Sequence, residues 1–352
     1  MSGFISGSAK RLTWQRYVTA LVACAVVTAL VAIISPMFSI GHSAGERHLE
    51  FLGWNAFTSG TQEWKILWVR IPRVLAAMLV GGALAGAGCA LQALLRNPLA
   101  EPFTLGISSG SSLFAVLAIR FGIESHFGSF GVGGAALVGA LATLLLVWQL
   151  ARVGRQLPPA TLVLAGVTLS MFCSSASVLV QYTSDFSDVS RMLRWMMGGL
   201  DSMTMSPVGY ASLPIIGGLL VLILYGRELN ALAAGPEVAA SLGVAVGRTQ
   251  VVVFVVSSLL VGAAIAVAGP IGFIGLIVPH SLRAILGPDH RLLIPASVFG
   301  GATLLVVCDT ISRTLLVLAQ LPTGAVTAVL GGPFFIVILV GQKRRAAMWG
   351  RV

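Results

Sequence analysis

Long apolar runs separated by short polar connections follow one another along the whole chain. The clearest run extends from Val74 to Leu95, and only Gln92 interrupts it. A run of this length predicts a helix that crosses a lipid bilayer, because about 20 apolar residues span the hydrocarbon core. The run is rich in glycine and alanine, which let neighbouring helices approach closely inside a membrane bundle. We therefore predict that this helix is central and surrounded by other helices.

The other apolar runs predict nine further spans. The ten predicted spans are 17–35, 71–95, 104–121, 131–151, 160–181, 206–226, 251–268, 271–286, 292–311 and 325–341. The eighth span is the least certain of them, because it is short and contains Pro279. Arg191, Arg194 and Trp195 recur at helical spacing and predict a short helix at the membrane interface. The predicted fold is an all-α membrane bundle that forms a single domain over residues 1–352.

Composition agrees with a membrane bundle and sets its orientation. Of the 352 residues, 57% are hydrophobic and only 10% are charged, which excludes an ordinary soluble domain. The net charge of +10 does not indicate nucleic-acid binding, because the arginines stand singly between apolar runs. Ten spans place both termini on one side, and that side carries most of the Lys and Arg. The positive-inside rule therefore predicts cytoplasmic termini.

The four cysteines lack CxxC spacing and predict buried free thiols.

No motif in the chain predicts an enzyme or a resident metal site. The phosphate-binding pattern GxxxxGK[ST] is absent, so the chain cannot hold ATP phosphates alone. His42 and His48 lie in a polar connection at 36–65, where isolated histidines are usually solvated. For His280, near the interior of a span, we predict a hydrogen bond at a helix end. A transport subunit powered by another protein fits better. A rival reading is a secondary transporter, which would need a carboxylate near the midplane such as Asp309.

Three basic residues predict a cationic rim at the outer end of the bundle. Arg70 and Arg73 are three residues apart and share one helix face, with Pro72 expected in the first turn. Arg313 lies at the outer end of the ninth span, four residues after Asp309. The reading that needs no partner is that these arginines reach the lipid headgroups.

The cytoplasmic loop at 227–248 has a distinct pattern of its own. It favours a helix as far as Ala234, is interrupted at Gly235-Pro236, and favours a helix again to Gly243. Glycine suits helix ends, and proline suits the first turn of a new helix. The loop is therefore predicted to form two short helices, which would suit either an interaction surface or an ordinary interfacial connection.

Small polar residues form a stripe along the fifth span. Gly166, Ser170, Ser174 and Ser177 recur at intervals of three or four residues and share a helix face. Such a stripe either packs against another helix or lines a water-filled cavity. The sequence leaves both alternatives open.

Four groups of residues together resemble the permease subunits of FecCD-type, or type II, ABC importers for iron chelates, haem and cobalamin. They are RIPR at 70–73, NPLAEP and LGISSG within 97–110, GPIGFIGLIVPH at 269–280, and LPTGAVTAVLGGPFF at 321–335. Because these segments are spread over nearly the whole chain, the resemblance is specific to the family. It does not single out one substrate.

The resemblance implies an ATP-driven importer in the bacterial inner membrane. The partners that it implies are a second permease copy, identical or paralogous, two ATP-binding subunits, and a periplasmic substrate-binding protein. ATP and Mg would be used by the ATP-binding subunits, and no cofactor is expected on this chain. The expected substrate is a ferric siderophore first, haem second and cobalamin third, an order that no residue here decides.

The resemblance also implies roles for individual residues. Arg70, Arg73 and Arg313 would dock the binding protein. Coupling to the ATP-binding subunit would involve Gly235, Glu237, Ala240, Leu242 and Gly243. The translocation pathway at the interface of two copies would be lined by Gly166, Ser170, Ser174 and Ser177, with its cytoplasmic gate at Pro158, Pro159, Ala160 and Thr161. The two prolines depart from the small polar residues expected at that gate.

Overall fold

The computed structural model describes residues 13–43, 46–51, 58, 60–123, 130–154, 156–201, 203–315 and 321–349. The helices are α1 (Trp14–Ile34), α2 (Gln62–Leu94), α3 (Ile107–Arg120), α4 (Phe130–Ala151), α5 (Pro159–Tyr182), α6 (Phe186–Met196), α7 (Met205–Leu224), α8 (Gly226–Ala234), α9 (Pro236–Ser241), α10 (Val246–Ala268), α11 (Ile274–Leu286), α12 (His290–Thr314) and α13 (Thr323–Trp349). Strands β1 (Phe38–Ser43) and β2 (Glu46–Phe51) form an antiparallel hairpin.

The membrane helices follow the predicted order. Within the described ranges, eight helices are long and apolar enough to cross a bilayer, and α3 and α11 are shorter apolar helices. These ten helices correspond to the ten predicted spans, so the prediction of a polytopic all-α bundle is confirmed. The amphipathic helix predicted around Arg191 is α6. The hairpin of β1 and β2 was not predicted, since the polar connection showed no clear strand pattern.

Helix α2 is central, as its small residues predicted. It packs against α7, α10, α11 and α12. At its closest approach to α12, a Cβ atom built on Gly81 would lie 2.2 Å from the carbonyl oxygen of Gly301. A Cβ atom on Gly88 would lie 2.1 Å from the carbonyl oxygen of Gly275 in α11. Side chains at these two positions would push the helices apart, so glycine is needed for this packing.

The start of α2 corrects one detail of the sequence prediction. The helix begins at Gln62, where the hydroxyl of Thr61 accepts a hydrogen bond from the backbone N–H of Trp64 at 3.1 Å. Pro72 therefore lies inside the helix and not in its first turn. The apolar run marks only the membrane-embedded part, whereas the helix extends beyond it through a polar, aromatic segment.

The single polar residue of the apolar run, Gln92, joins three segments. Its Nε2 donates to the carbonyl oxygens of Gly275, at 3.3 Å, and Ala100, at 3.5 Å. Its Oε1 accepts from Nη2 of Arg283 at 2.8 Å. In addition, the carboxylate of Glu101 accepts a hydrogen bond from the backbone N–H of Phe273, just before α11. These contacts satisfy polar backbone groups where the chain runs between helices inside the bundle.

Candidate functional site

The three arginines predicted for the outer rim lie together in the structure. Arg73 on α2 and Arg313 at the end of α12 contact the carboxylate of Asp309, and Arg70 on α2 donates to the same Phe38 carbonyl oxygen as Arg313. We call Arg70, Arg73, Arg313 and Asp309 the outer arginine cluster. The sequence therefore correctly predicts that these residues share one end of the bundle.

The strongest contact of the cluster joins Arg73 to Asp309. Nε of Arg73 is 2.9 Å from each carboxylate oxygen, and Nη2 is 2.8 Å from Oδ1. The hydroxyl of Thr323 on α13 donates to the same Oδ1 at 3.1 Å. Nη2 of Arg73 also reaches Asp201 at 3.1 Å, in the connection between α6 and α7. The ion pair thus ties α2, α12 and α13 to the outer connection.

The other two arginines satisfy backbone carbonyl groups where α1 ends. Nη1 of Arg70 donates to the carbonyl oxygens of Pro36 and Phe38, at 2.7 and 2.8 Å. Arg313 donates to the carbonyl oxygen of Ser35 and to that of Phe38, the latter at 2.9 Å. Helix ends leave carbonyl groups without intrahelical partners, and guanidinium groups fill that need here.

The arginines of the cluster differ in how far they are exposed to solvent. Arg73 and Arg313 are each only 8% exposed, and both pair with groups of their own chain. Arg70 is more accessible. Docking of a binding protein by all three residues stays a prediction, and in this conformation Arg70 is the member best placed for direct contact.

The environment of Asp309 weighs against a proton-carrier role. Its side chain is 1% exposed and lies against the guanidinium groups of Arg73 and Arg313. The carboxylate is thus held between two guanidinium groups of its own chain. A carboxylate that carries protons needs access to water and no fixed counter-ion, so the rival reading as a secondary transporter loses its candidate residue.

The opposite end of the bundle carries the two predicted short helices. Helices α8 and α9 are separated at Gly235, whose φ of +128° favours glycine, and Gly243 ends the segment at a φ of +81°. The fold of the predicted loop is therefore confirmed. Among the residues proposed for coupling, Gly235 is buried, whereas Glu237, Ala240, Leu242 and Gly243 are exposed.

An apolar pair protrudes from this segment. Val238 is 45% exposed and Leu242 is 69% exposed, and their spacing of four residues places them on one side of α9 and the turn that follows. We call Glu237, Val238, Ala240, Leu242 and Gly243 the coupling face. The sequence pattern located this segment but did not single out Val238.

A hydrogen-bonded clamp fixes α8 to the start of α12. The side chain of Asn230 donates to Oδ1 of Asp289 at 2.8 Å and accepts from the backbone N–H of His290 at 2.8 Å. Asp289 also caps α12 by accepting from the backbone N–H of Arg291 at 3.0 Å. We call Asn230, Asp289 and His290 the inner clamp. Sequence reasoning missed it, although an Asp directly before an apolar run is a helix-start signal.

The clamp perturbs the carboxylate at its centre. Burial alone raises the pKa of Asp289, but hydrogen bonds from Arg291 and Asn230 and the charge of Arg291 outweigh it and lower the pKa to about 2. The carboxylate is therefore ionised throughout the physiological range, and the clamp is a permanent connection and not a pH switch.

Most of the predicted pathway stripe on α5 packs against other parts of the same chain, and its role in lining a pathway stays a prediction. A Cβ atom on Gly106 would lie 2.9 Å from the carbonyl oxygen of Gly166 and 3.5 Å from Oγ of Ser170. Ser177 is buried and donates to the carbonyl oxygen of Cys173, whereas Ser174 is exposed. Of the two open alternatives, close packing explains Gly166, Ser170 and Ser177 because these residues face their own chain.

The proposed gate residues also have structural roles. Pro158 and Pro159 start α5, where a proline needs no hydrogen-bond partner for its nitrogen. The hydroxyl of Thr161 donates to the carbonyl oxygens of Ala151 and Pro158, at 2.9 and 2.8 Å. Ala160 is the exposed member of the four. A gate at this position remains a prediction.

The histidines show no metal site in the part of the chain that the structure describes. No group of three or more potential ligand residues occurs there. His280 packs edge-on against Phe334, and its buried Nδ1 has no hydrogen-bond partner among the described residues, so the predicted helix-end bond is not seen at that atom. His42 and His48 lie in the hairpin strands, and their side chains are outside the described set.

Comparisons with known proteins agree with this architecture. The chain is 39% identical over 295 residues to the hemin transport system permease protein of Yersinia pestis, covering 83% of this chain and 88% of that protein. It is 36% identical over 321 residues to the vitamin B12 import system permease protein of Shigella boydii, covering 91% and 95%.

A solved structure shows the same fold. It is described as an inward-facing conformation of a metal-chelate type ABC transporter and superposes with a TM-score of 0.79 at 30% identity, covering 92% of this chain and 99% of that one. A sequence model described as the FecCD transport family matches residues 33–341. The chain therefore belongs to the FecCD transport family of ABC importer permeases.

Proposed function

We propose that the chain imports a metal chelate across the bacterial inner membrane, with energy from separate ATP-binding subunits that use ATP and Mg. The observation that carries the proposal is the exposed apolar pair of the coupling face, Val238 and Leu242. The pair lies at the end of the bundle that the distribution of basic residues predicts to be cytoplasmic. An exposed Leu and Val beside polar neighbours are typical of a protein interface.

The helix that precedes the coupling face, α8, is fixed to the membrane helices by side-chain hydrogen bonds. Through Asn230, the inner clamp connects α8 with the first turn of α12, which runs to the outer arginine cluster. A push transmitted to α8 would therefore act on the first turn of α12. This supports a mechanism in which nucleotide-driven motion of the ATP-binding subunits alternately opens the two sides of the membrane.

The pathway is proposed to lie between two copies of the chain. Helices α5 and α13 expose much of their surface, including Leu164, Met171, Val178 and Val337. A second permease copy, identical or paralogous, would cover part of these faces. The exposed residues are apolar or weakly polar, so they would provide no strong ligand to hold a bulky chelate on its way through.

For the substrate, we propose a metal bound in a tetrapyrrole-type ring ahead of a ferric siderophore. The relatives described above are named for hemin and vitamin B12. This reverses the order expected from the sequence, in which the siderophore came first. Family membership alone does not distinguish these three chelates, so the experiment includes all of them.

At the outer end, we propose that a periplasmic binding protein docks at the surface around Arg70. Arg73 and Arg313 would contribute indirectly, because their buried contacts hold α2, α12 and the start of the hairpin in position. Charge contacts of an exposed arginine steer association and set the docking orientation. Arg70→Glu should weaken binding of the docking protein, whereas unchanged affinity would remove this part of the proposal.

The test of the whole proposal is ATP hydrolysis by the assembled complex. The chain would be co-purified with a candidate ATP-binding subunit, and candidate binding proteins would be added loaded with haem, cobalamin or ferric siderophore. Stimulation of hydrolysis by one loaded protein is the expected result and identifies the substrate. A chain that recruits no ATP-binding subunit would overturn the proposal.

A further inference from the structure

A pocket at the inner end of the bundle is not explained by coupling or transport. It has a volume of about 290 Å³ and lies between the end of α4 and the start of α10. Its polar side is lined by Trp148, Arg152, Gln156, Gly247 and Arg248, and its apolar side by Leu157, Val251 and Val252. Both arginines are exposed, and no acidic residue lines the pocket among the described residues. The pocket is therefore suited to an anion.

The residues that line this pocket carry several hydrogen-bond donors. The indole Nε1 of Trp148 is buried and has no hydrogen-bond partner within the described part of the chain. Helix α10 begins at Val246 without a side-chain cap, so its first backbone N–H groups, near Gly247 and Arg248, lack intrahelical partners. A helix N-terminus carries partial positive charge and favours an anionic group.

Contacts with neighbouring groups fix the position of Arg152 in the pocket. Its Cζ lies 5.5 Å from the ring centroid of Trp148, a cation–π distance, and its Nε donates to the carbonyl oxygen of Gly154 at 2.6 Å. The terminal nitrogen atoms of the guanidinium group are left to reach an anion. Trp148 and Arg152 thus form a preorganised pair and not two independent surface side chains.

The surroundings of the pocket indicate where the anion comes from. The neighbouring surface of α4 exposes Leu146 and Leu150, and Val153 follows directly after the helix. This surface suits acyl chains, whereas the pocket suits a phosphate group. Tryptophan and arginine at a helix end are typical of the membrane–water boundary, and the cytoplasmic leaflet is the one rich in anionic lipids.

We propose that this pocket binds the phosphate headgroup of an anionic phospholipid in the cytoplasmic leaflet. The inference rests on the proposed function only for the orientation of the membrane helices. The phosphate would lie between Arg152, Arg248 and the first turn of α10, with the Trp148 indole N–H as a further donor. The pocket lies beside the α9–α10 connection, so an occupied site would stabilise the segment that follows the coupling face.

The experiment measures lipid retention by the purified full chain in detergent, using native mass spectrometry. Phosphatidylglycerol and phosphatidylcholine would be added separately to the chain and to the double variant Arg152→Gln/Arg248→Gln. We expect the chain to retain one phosphatidylglycerol in preference to phosphatidylcholine. Retention should weaken about fivefold for each arginine removed. The matched control is Arg120→Gln/Arg194→Gln, which removes two exposed arginines from the other end of the bundle and should leave retention unchanged.

Two further arms separate the possible sources of the signal. Trp148→Phe keeps the net charge but removes the indole N–H, and it should also reduce retention if the headgroup occupies the pocket. Inorganic phosphate in excess should not displace the lipid, whereas displacement would show that the site takes free phosphate and would overturn the lipid assignment.

Other outcomes also contradict the proposal. Equal retention of both lipids, or equal loss in the control variant, would show general attraction without a site. Loss of the ATP-binding subunit by the double variant with unchanged lipid retention would make this face a protein interface. Because retention is measured on the chain alone, it does not depend on whether an ATP-binding subunit exists, so the two proposals fail separately.

Discussion

The two ends of α12 are held by different kinds of contact: a buried ionic cluster at the outer end and hydrogen bonds near the surface at the inner end. At the outer end, Asp309 and two arginines form a buried ionic cluster whose partners belong to four segments of the chain. At the inner end, Asp289 and Asn230 make hydrogen bonds near the surface, next to an exposed apolar pair. The outer end is therefore a fixed junction, and the inner end presents a surface that another protein can contact.

This difference has a physical origin in the solvation of charge. A buried ion pair adds little net stability, but loss of one member leaves an uncompensated charge in a poor solvent. Hydrogen bonds at a partly exposed helix start can instead be replaced by water at small cost. The outer arginine cluster should thus tolerate substitution badly, whereas substitutions at the inner clamp should affect coupling more than folding.

The largest effect is expected from Asp309→Ala. Arg73 and Arg313 would stay buried without their shared counter-ion, and the free energy of unfolding should fall by about 3–5 kcal/mol. Thermal unfolding of the purified chain in detergent measures this. The control is Asp188→Ala, which removes a partly exposed ion pair with Arg191 and should cost at most about 1 kcal/mol. Equal losses in both variants would contradict the contrast between buried and exposed pairs.

Between the two ends, Gly301→Ala tests the contact that holds α12 against α2. The new Cβ atom would lie 2.2 Å from the carbonyl oxygen of Gly81 and 2.5 Å from Cβ of Ala85, so the helices must separate. Overpacking of this kind typically costs about 1–3 kcal/mol. Gly209→Ala is the matched control, because no atom lies within 4 Å of its Cβ position, and it should be neutral or stabilising in the same unfolding measurement.

At the inner end, Asn230→Ala removes the side-chain hydrogen bonds that Asn230 on α8 makes to Asp289 and His290 at the start of α12. Stability should fall by only about 1 kcal/mol, but the chain should transmit less of the nucleotide-driven motion. The measurement is the ratio of substrate transported to ATP hydrolysed in proteoliposomes, and we expect this ratio to fall. Ser241→Ala, which removes a local hydrogen bond on α9, is the control. A ratio equal to that of the unaltered chain would show that the clamp does not couple.

The smallest effect is a pH dependence from Asp289. Its pKa is lowered to about 2 in the folded chain, below the ordinary value of about 3.9. A carboxylate with a lowered pKa stabilises the fold fully above its unfolded pKa and loses that contribution as the pH falls through its folded pKa. The difference in melting temperature between the chain and Asp289→Asn should therefore shrink from pH 5 towards pH 2. A constant difference over that range would contradict the assigned pKa.

The sequence predicts most of the architecture because the bilayer demands continuous apolar helices. The ten runs, the central glycine-rich α2 and the break at Gly235 all follow from local composition. The start of α2 does not, since its outer turns are polar and aromatic and lie beyond the apolar run. The hairpin of β1 and β2 is likewise invisible to an apolarity criterion.

The candidate site was predictable only in part. Spacing placed Arg70, Arg73 and Arg313 at one end, but the orientation of their side chains depends on Asp309 and on carbonyl groups distant in sequence. The stripe on α5 was compatible with packing or with a cavity; the approach of Gly106 shows close packing at Gly166 and Ser170, and the lining of a pathway stays a prediction. Asn230 and Asp289 are 59 residues apart, so no local pattern joins them.

The most direct test of the account is whether the coupling face binds the ATP-binding subunit. Val238→Ala/Leu242→Ala would be compared with Val153→Ala, an exposed apolar residue at the same end but outside the coupling face. The measurement is ATP hydrolysis by the co-purified complex, with and without chelate-loaded binding protein. We predict that the double variant loses at least about tenfold in subunit affinity, as expected when central apolar contacts are removed, and loses stimulation with it. Full assembly and full stimulation in the double variant would contradict the account.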